Sequence, residues 1–120
     1  MNNTIDVAGM PKGGPYSHAV VAENLVFVSG QTGQTGSGKD TFETQFESAM
    51  EKISRILKEA GTSVEKVVKI SVYLSKPEYF QTMNKLFGKY FPAKPPARTT
   101  LVTGFVNSEI LVEIDVIASK

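Results

Sequence analysis

Arg98 closes the run Pro95-Pro96-Ala97-Arg98, where proline restricts the backbone just before a strand is expected to begin. A guanidinium is charged at all working pH values, and its fork matches a carboxylate, so a fixed arginine here suits capture of an organic acid. Glu113 interrupts the apolar run 110–118 (ILVEIDVIA), as does Asp115 two residues later on the same face of the strand. A partly desolvated carboxylate beside a substrate can position or deprotonate water. Ser29-Gly30-Gln31 ends another apolar strand, where glycine allows close backbone approach and free N–H groups can donate to an oxyanion or carboxylate. Tyr16 offers an aromatic wall with a hydroxyl, and Asn84, between Met83 and Lys85, offers an amide to brace a site. Each also has a plain reading. Arg98 could pair with a neighbouring acid, Glu113 and Asp115 could face solvent, and Ser29-Gly30 could be an ordinary turn. Tyr16 could be a packed aromatic, and Asn84 could simply be exposed.

Other chemistries are poorly supplied. The chain has no cysteine and one histidine, His18, which leaves neither a thiolate site nor a triad, and no metal is expected. Gly33 to Lys39 (GQTGSGK) has the spacing of a phosphate-binding loop, G-x-x-x-x-G-K. Asp40 follows, where that motif needs Ser or Thr, and its charge would repel phosphates. The segment reads as a mobile Gly-rich connection. A formal net charge of +1, with Lys and Arg scattered, predicts no specific nucleic-acid partner. No window approaches the roughly 20 apolar residues of a membrane span. Residues 1–10 have neither a basic nor an apolar leader segment, so a cytoplasmic setting is expected.

The elements that must position these residues follow from periodicity. A chain of 120 residues, 41% hydrophobic, predicts one compact domain over 1–120. Residues 10–18 are irregular. The runs 19–22 and 25–29 predict a hairpin turning at Glu23-Asn24. Residues 30–39 form a loop, and Asp40 with Glu43 has capping-box spacing for a helix. Phe42, Phe46, Ala49, Ile53, Leu57 and Ala60 make its apolar stripe, and Gly61 ends it. Residues 67–74 alternate as a strand. Ser75 and Glu78 predict a second capped helix, with Phe80, Met83, Phe87, Tyr90 and Phe91 buried, stopped by Pro92. Residues 99–103 and 110–118 are the last strands, with Val106 to Ser108 in the turn between them. The order ββ-α-β-α-ββ predicts an α+β sandwich, a mixed, mostly antiparallel sheet with both helices on one face. Its other face keeps apolar groups that self-association would cover.

Taken together, GPYSHAV at 14–20, LVFVSGQ at 25–31, EAG at 59–61, VVKISVYL at 67–74, MNKLFGKYF at 83–91, PPAR at 95–98 and VEIDVIA at 112–118 resemble the RidA/YjgF family of reactive imine/enamine deaminases. Order and spacing agree from about Pro11 to Ala118.

The resemblance implies a chorismate-mutase-like fold and a homotrimer forming a central barrel, with pockets at subunit interfaces. It implies hydrolysis of 2-imino acids such as 2-aminoacrylate to 2-keto acids and ammonia, with no cofactor. Arg98 would clamp the substrate carboxylate and Glu113 would activate water. Tyr16, Ser29, Gly30 and Asn84 would line the pocket. The chain departs from the common pattern at Lys52, where an asparagine is usual, at Val106-Asn107, where Leu-Pro is usual, and in a shorter 31–40 loop. Two other readings stay open on the same residues: a 2-keto acid sensor without turnover, and the RNA cleavage or translational inhibition also attributed to family members.

Overall fold

The computed structural model describes residues 3–120. Six strands form one sheet: β1 (Asn3–Ile5), β2 (Ala19–Ala22), β3 (Leu25–Thr32), β4 (Val67–Leu74), β5 (Ala97–Val102) and β6 (Val112–Ser119), in the spatial order β1-β2-β3-β6-β4-β5. Two helices, α1 (Phe42–Glu59) and α2 (Phe80–Tyr90), cover one face. Every strand pair is antiparallel except β4 with β5. β3 and β4 both run against β6, so they are parallel to each other, and α1 is the crossover between them. The α2 crossover steps onward from β4 to β5 in the same direction. Crossovers of one hand moving one way must place their helices on the same side. The α+β sandwich expected from the sequence is therefore present.

The core lies under those helices. Val26, Val28, Ile70, Val72, Ile114 and Val116 meet Phe46, Met50, Ile53 and Leu57 of α1, and Met83 and Leu86 of α2. The opposite face is open, with Phe27 41% and Leu101 52% exposed.

Several boundaries differ from expectation. β1 went unforeseen because three residues carry no periodicity. It is held by pairing with β2 and by the contacts that follow it. Asp40 is not the helix cap. Thr41 is, its hydroxyl accepting from Thr44 N–H while Thr44 Oγ1 accepts from Thr41 N–H. The far end does stop as expected: Gly61 takes φ +85°, Thr62 N–H reaches Leu57 O and Gly61 N–H reaches Lys58 O, the Schellman arrangement. Ser75 caps nothing. A 3-10 turn at Pro77–Tyr79 leads into α2, and Phe80, expected in the core, is 43% exposed. β5 and β6 are sequence neighbours, but β4 lies between them in the sheet.

The Gly-rich segment is not a phosphate cradle. Residues 30–32 of the expected 30–39 loop extend β3 to Thr32, and the Asp40 carboxylate accepts from Thr35 N–H at 2.7 Å and from Thr35 Oγ1 at 2.7 Å. Those hydrogen bonds hold the Asp40 carboxyl below its ordinary range. The amide that would meet a phosphate is already occupied by a carboxylate.

Candidate active site

A cleft of about 800 Å³ opens where β3 outruns β2. Tyr16, Ser29, Gly30, Gln31, Lys52 and Glu113 stand on its wall. β3 reaches it through a bulge. Val28 faces Val116 and Gln31 faces Ile114, so three steps on β3 match two on β6 and the spare residue falls at Ser29-Gly30. The bulge changes which backbone groups the ladder uses. On the β2 side, Ser29 N–H donates to His18 O at 2.9 Å, continuing the β2–β3 register, and Ser29 Oγ donates to Ser17 O at 2.7 Å, tying the 17–18 segment to the strand.

Gly30 leaves room for a neighbouring side chain. A Cβ at that position would stand 2.9 Å from Glu113 Cδ and closer still to Oε2. The Glu113 side chain lies across β3 because Gly30 leaves the room. Burial, with a smaller contribution from the negative Asp115 on the same strand face, pushes the Glu113 carboxyl above its ordinary value. Asp115 is not simply solvated, since it accepts from Tyr73 Oη at 2.9 Å, a bond that holds the Tyr73 hydroxyl above its usual range. At the rim Tyr16, largely exposed, accepts from Gly13 N–H at 3.1 Å, which fixes the ring while its hydroxyl proton remains free.

His18 is structural. It is buried, its Nδ1 accepts from Val7 N–H at 2.9 Å, and its own N–H donates to Asp6. Asp6 in turn pairs with Lys12 at 2.9 Å, which lowers its pKa. This group anchors the chain between β1 and the cleft rim.

Arg98 is placed elsewhere. Its guanidinium carbon lies 4.8 Å from the centre of the Phe87 ring and 5.9 Å from that of Phe80, and Nη1 points at Met83 Sδ at 3.5 Å. All three are α2 residues, so Arg98 projects to the helix side. Among the described residues it forms no salt bridge. Asn84 is exposed on α2 beside Met83. The six residues singled out from sequence thus fall into two groups: Tyr16, Ser29, Gly30 and Glu113 in the cleft, and Arg98 with Asn84 at the β5–α2 edge.

Two polar residues escaped the sequence reading. Lys52, noted only as unusual, donates to Thr32 O at 2.7 Å, and burial pushes its ammonium pKa down. Gln45, 1% exposed, donates to Glu109 O at 2.8 Å and accepts from Leu111 N–H at 2.9 Å, pinning the turn before β6 to α1. Its spacing was the available signal, because it sits three residues after Phe42 and four before Ala49, on the buried stripe.

Among the described residues no group of three or more acidic, histidine or cysteine side chains could hold a metal, and no helix is long and apolar enough to cross a membrane.

Comparison with known proteins places this arrangement. The family model described as Endoribonuclease L-PSP matches residues 8–120. Reactive Intermediate Deaminase A, chloroplastic, of Arabidopsis thaliana is 38% identical over 110 residues, covering 88% of this chain and 59% of that protein. A RutC family protein of Pyrococcus abyssi is 36% identical over 113 residues, covering 89% of this chain and 87% of its own. Among solved structures, RidA from the Antarctic bacterium Psychrobacter sp. superposes with a TM-score of 0.88 at 31% identity, over 98% of this chain and 99% of that one. A match spanning nearly all of the sequence and a shared fold at that identity lead to one assignment: the chain belongs to the RidA/YjgF family.

Proposed function

We propose that the protein hydrolyses 2-imino acids and their enamine tautomers, 2-aminoacrylate among them, to 2-keto acids and ammonia. In this reading it works without a cofactor, as a cytoplasmic homotrimer whose sites are completed between neighbouring copies. The observation that carries the reading is the Glu113 carboxylate, part-buried over Gly30 at a water-accessible cleft. Its raised pKa brings it closer to the working pH, where a carboxylate takes a proton from water more readily than an ordinary surface acid does.

An imine carbon is already electrophilic, so the chemistry asks mainly for orientation and a directed water. Glu113 removes a proton from water as the oxygen attacks C2. It returns that proton to nitrogen, giving the carbinolamine, then takes the carbinolamine's hydroxyl proton and passes it to nitrogen, so that the C–N bond breaks, ammonia leaves and the carbonyl forms. Tyr16 and the Ser29-Gly30 backbone confine the substrate.

Carboxylate capture falls to Arg98, which one chain cannot bring to its own Glu113. Ile70 is the β4 partner of Arg98 and Tyr73 the β4 partner of Glu113. Those two positions are an odd number of residues apart, so the side chains of Arg98 and Glu113 leave opposite faces of the sheet, roughly 10 Å apart along β4. In this reading Arg98 of one copy serves the cleft of the next, and Asn84, exposed on α2, is offered to the same cleft. Phe27 and Leu101 on the open face provide the apolar surface that such an assembly covers. A keto-acid sensor would use the same clamp, and turnover separates the two.

The test is imine hydrolysis with substrate generated in place by an amino-acid oxidase, alongside the native mass. Faster keto-acid release than the uncatalysed background, abolished in Glu113→Gln, is expected. A protein that binds keto acid but leaves the imine half-life unchanged would refute the enzyme.

A further inference from the structure

We infer that Lys52 makes the cleft selective for substrates bearing a second, distal carboxylate, so that imines derived from acidic amino acids are preferred over apolar ones of equal length. The inference rests on the reading above for which end of the substrate meets Glu113 and Arg98.

Lys52 Nζ makes one hydrogen bond, to the backbone carbonyl of Thr32 at 2.7 Å, and no carboxylate pairs with it among the described residues. An ammonium carries three donors, so this one retains capacity and charge inside the cleft. Thr32 is the cross-strand partner of Glu113, which sets the cation about one strand spacing from the backbone of the proposed base. The other lysine on the wall, Lys12, is neutralised by Asp6.

The volume agrees. A cleft of about 800 Å³ is far larger than a three- or four-carbon acid needs, and Lys52 of α1 stands on its wall. With the α-carboxylate held by a neighbouring Arg98 and C2 near Glu113, a side chain of two or three carbons would carry its own carboxylate toward Lys52. A partly desolvated cation with no carboxylate in direct contact gains from such a ligand.

Binding of 2-oxoglutarate and of 2-oxopentanoate, matched at five carbons, is to be measured by calorimetry on the intact protein. The parent should prefer the diacid by on the order of 10- to 100-fold, the range for a hydrogen bond to a charged group. Lys52→Met should remove that preference, Lys52→Arg should keep most of it, and Lys58→Met, at an exposed position on the same helix, should leave it as in the parent. Should Lys52→Met fail to fold, Lys52→Gln carries the same expectation. Equal affinity of the parent for both acids, or an equal loss of both in Lys52→Met, overturns the inference, the second because Lys52 would then hold the α-carboxylate. Hydrolysis of the corresponding imines is followed in parallel. A diacid preference without turnover would sink the enzyme and leave the selectivity standing, whereas turnover without preference would do the reverse.

Discussion

Mixing two inactive variants distinguishes a site shared between copies from one built within a chain. Within one chain the Arg98 guanidinium lies against Met83 and Phe87 on the helix side, while Glu113 lies over Gly30 on the other. Arg98→Ala and Glu113→Gln should each lose on the order of 100-fold or more in imine hydrolysis, because one lacks the carboxylate clamp and the other the base. Let the two be co-expressed in equal amounts and assembled at random. A site is whole when the copy lending Arg98 is the Glu113→Gln chain and the copy lending Glu113 is the Arg98→Ala chain. Each condition has even odds, so about one quarter of sites regain both groups in any closed ring. The assay is keto-acid release per site, with the subunit ratio checked by mass. Recovery near a quarter of the parent rate is expected. A mixture no faster than the mean of its two parents would show that no site draws on both copies, and the division of labour assigned above would be wrong.

Glycine substitutions probe two different constraints. Gly30→Ala should displace the Glu113 carboxylate, a flexible group, so activity falls on the order of 100-fold while stability, read by urea unfolding, shifts by less than about 1 kcal/mol. At Gly33 the added Cβ would meet the Gln45 backbone, 2.8 Å from its Cα, and helix backbone cannot step aside; Gly33→Ala should cost ~1–3 kcal/mol in the same assay. Gln45→Leu orphans Leu111 N–H and Glu109 O, and at ~1–2 kcal/mol for each it should destabilise by about 2–4 kcal/mol. Glu113 also leaves a mark on stability against pH. Its folded pKa lies above the ordinary 4.5, so the native state holds a proton that the unfolded chain has released. Its contribution is complete below that ordinary value and is lost as pH rises through the raised one. The melting temperature of Glu113→Gln relative to the parent should therefore climb across this window, and a difference that stays flat would contradict the burial assigned to Glu113.

Elements with strong periodicity were legible. Val67–Leu74 has the bounds read from sequence and alternates from Lys69 onward, although a bulge between Val67 and Lys69 leaves Val68, expected on the face of Ile70, exposed; the stripe of α1 is buried as its spacing demands. The hairpin turns at Glu23, which takes φ +55°. What failed depends on contacts made outside the element itself. Asn3–Ile5 becomes a strand because β2 offers an edge and because Val7, Asp6 and His18 tie down the chain that follows. Asp40 and Thr41 are both good caps by type, and the choice between them was decided by Thr35, which engages the Asp40 carboxylate. Phe80 satisfies a helical stripe, yet the 3-10 turn before α2 rotates that helix's start and leaves the ring beside Arg98. The periodicity of each element does not report such couplings.

Six candidate residues could be singled out by type, but the separation between Arg98 and Glu113 was not visible in their spacing. That separation follows from a parity that only register supplies. Arg98 meets β4 at Ile70 and Glu113 meets it at Tyr73. Had either strand been offset by one residue, both side chains would share a face. As it stands, the guanidinium belongs to the helix layer and the carboxylate to the open face, where apolar side chains also wait to be covered. A desolvated acid and an uncovered apolar surface on the same side of one sheet have a common remedy in a neighbouring copy. Association would bury the apolar groups and deliver the cation that the carboxylate's substrate requires, so on this view assembly and catalysis rise and fall together.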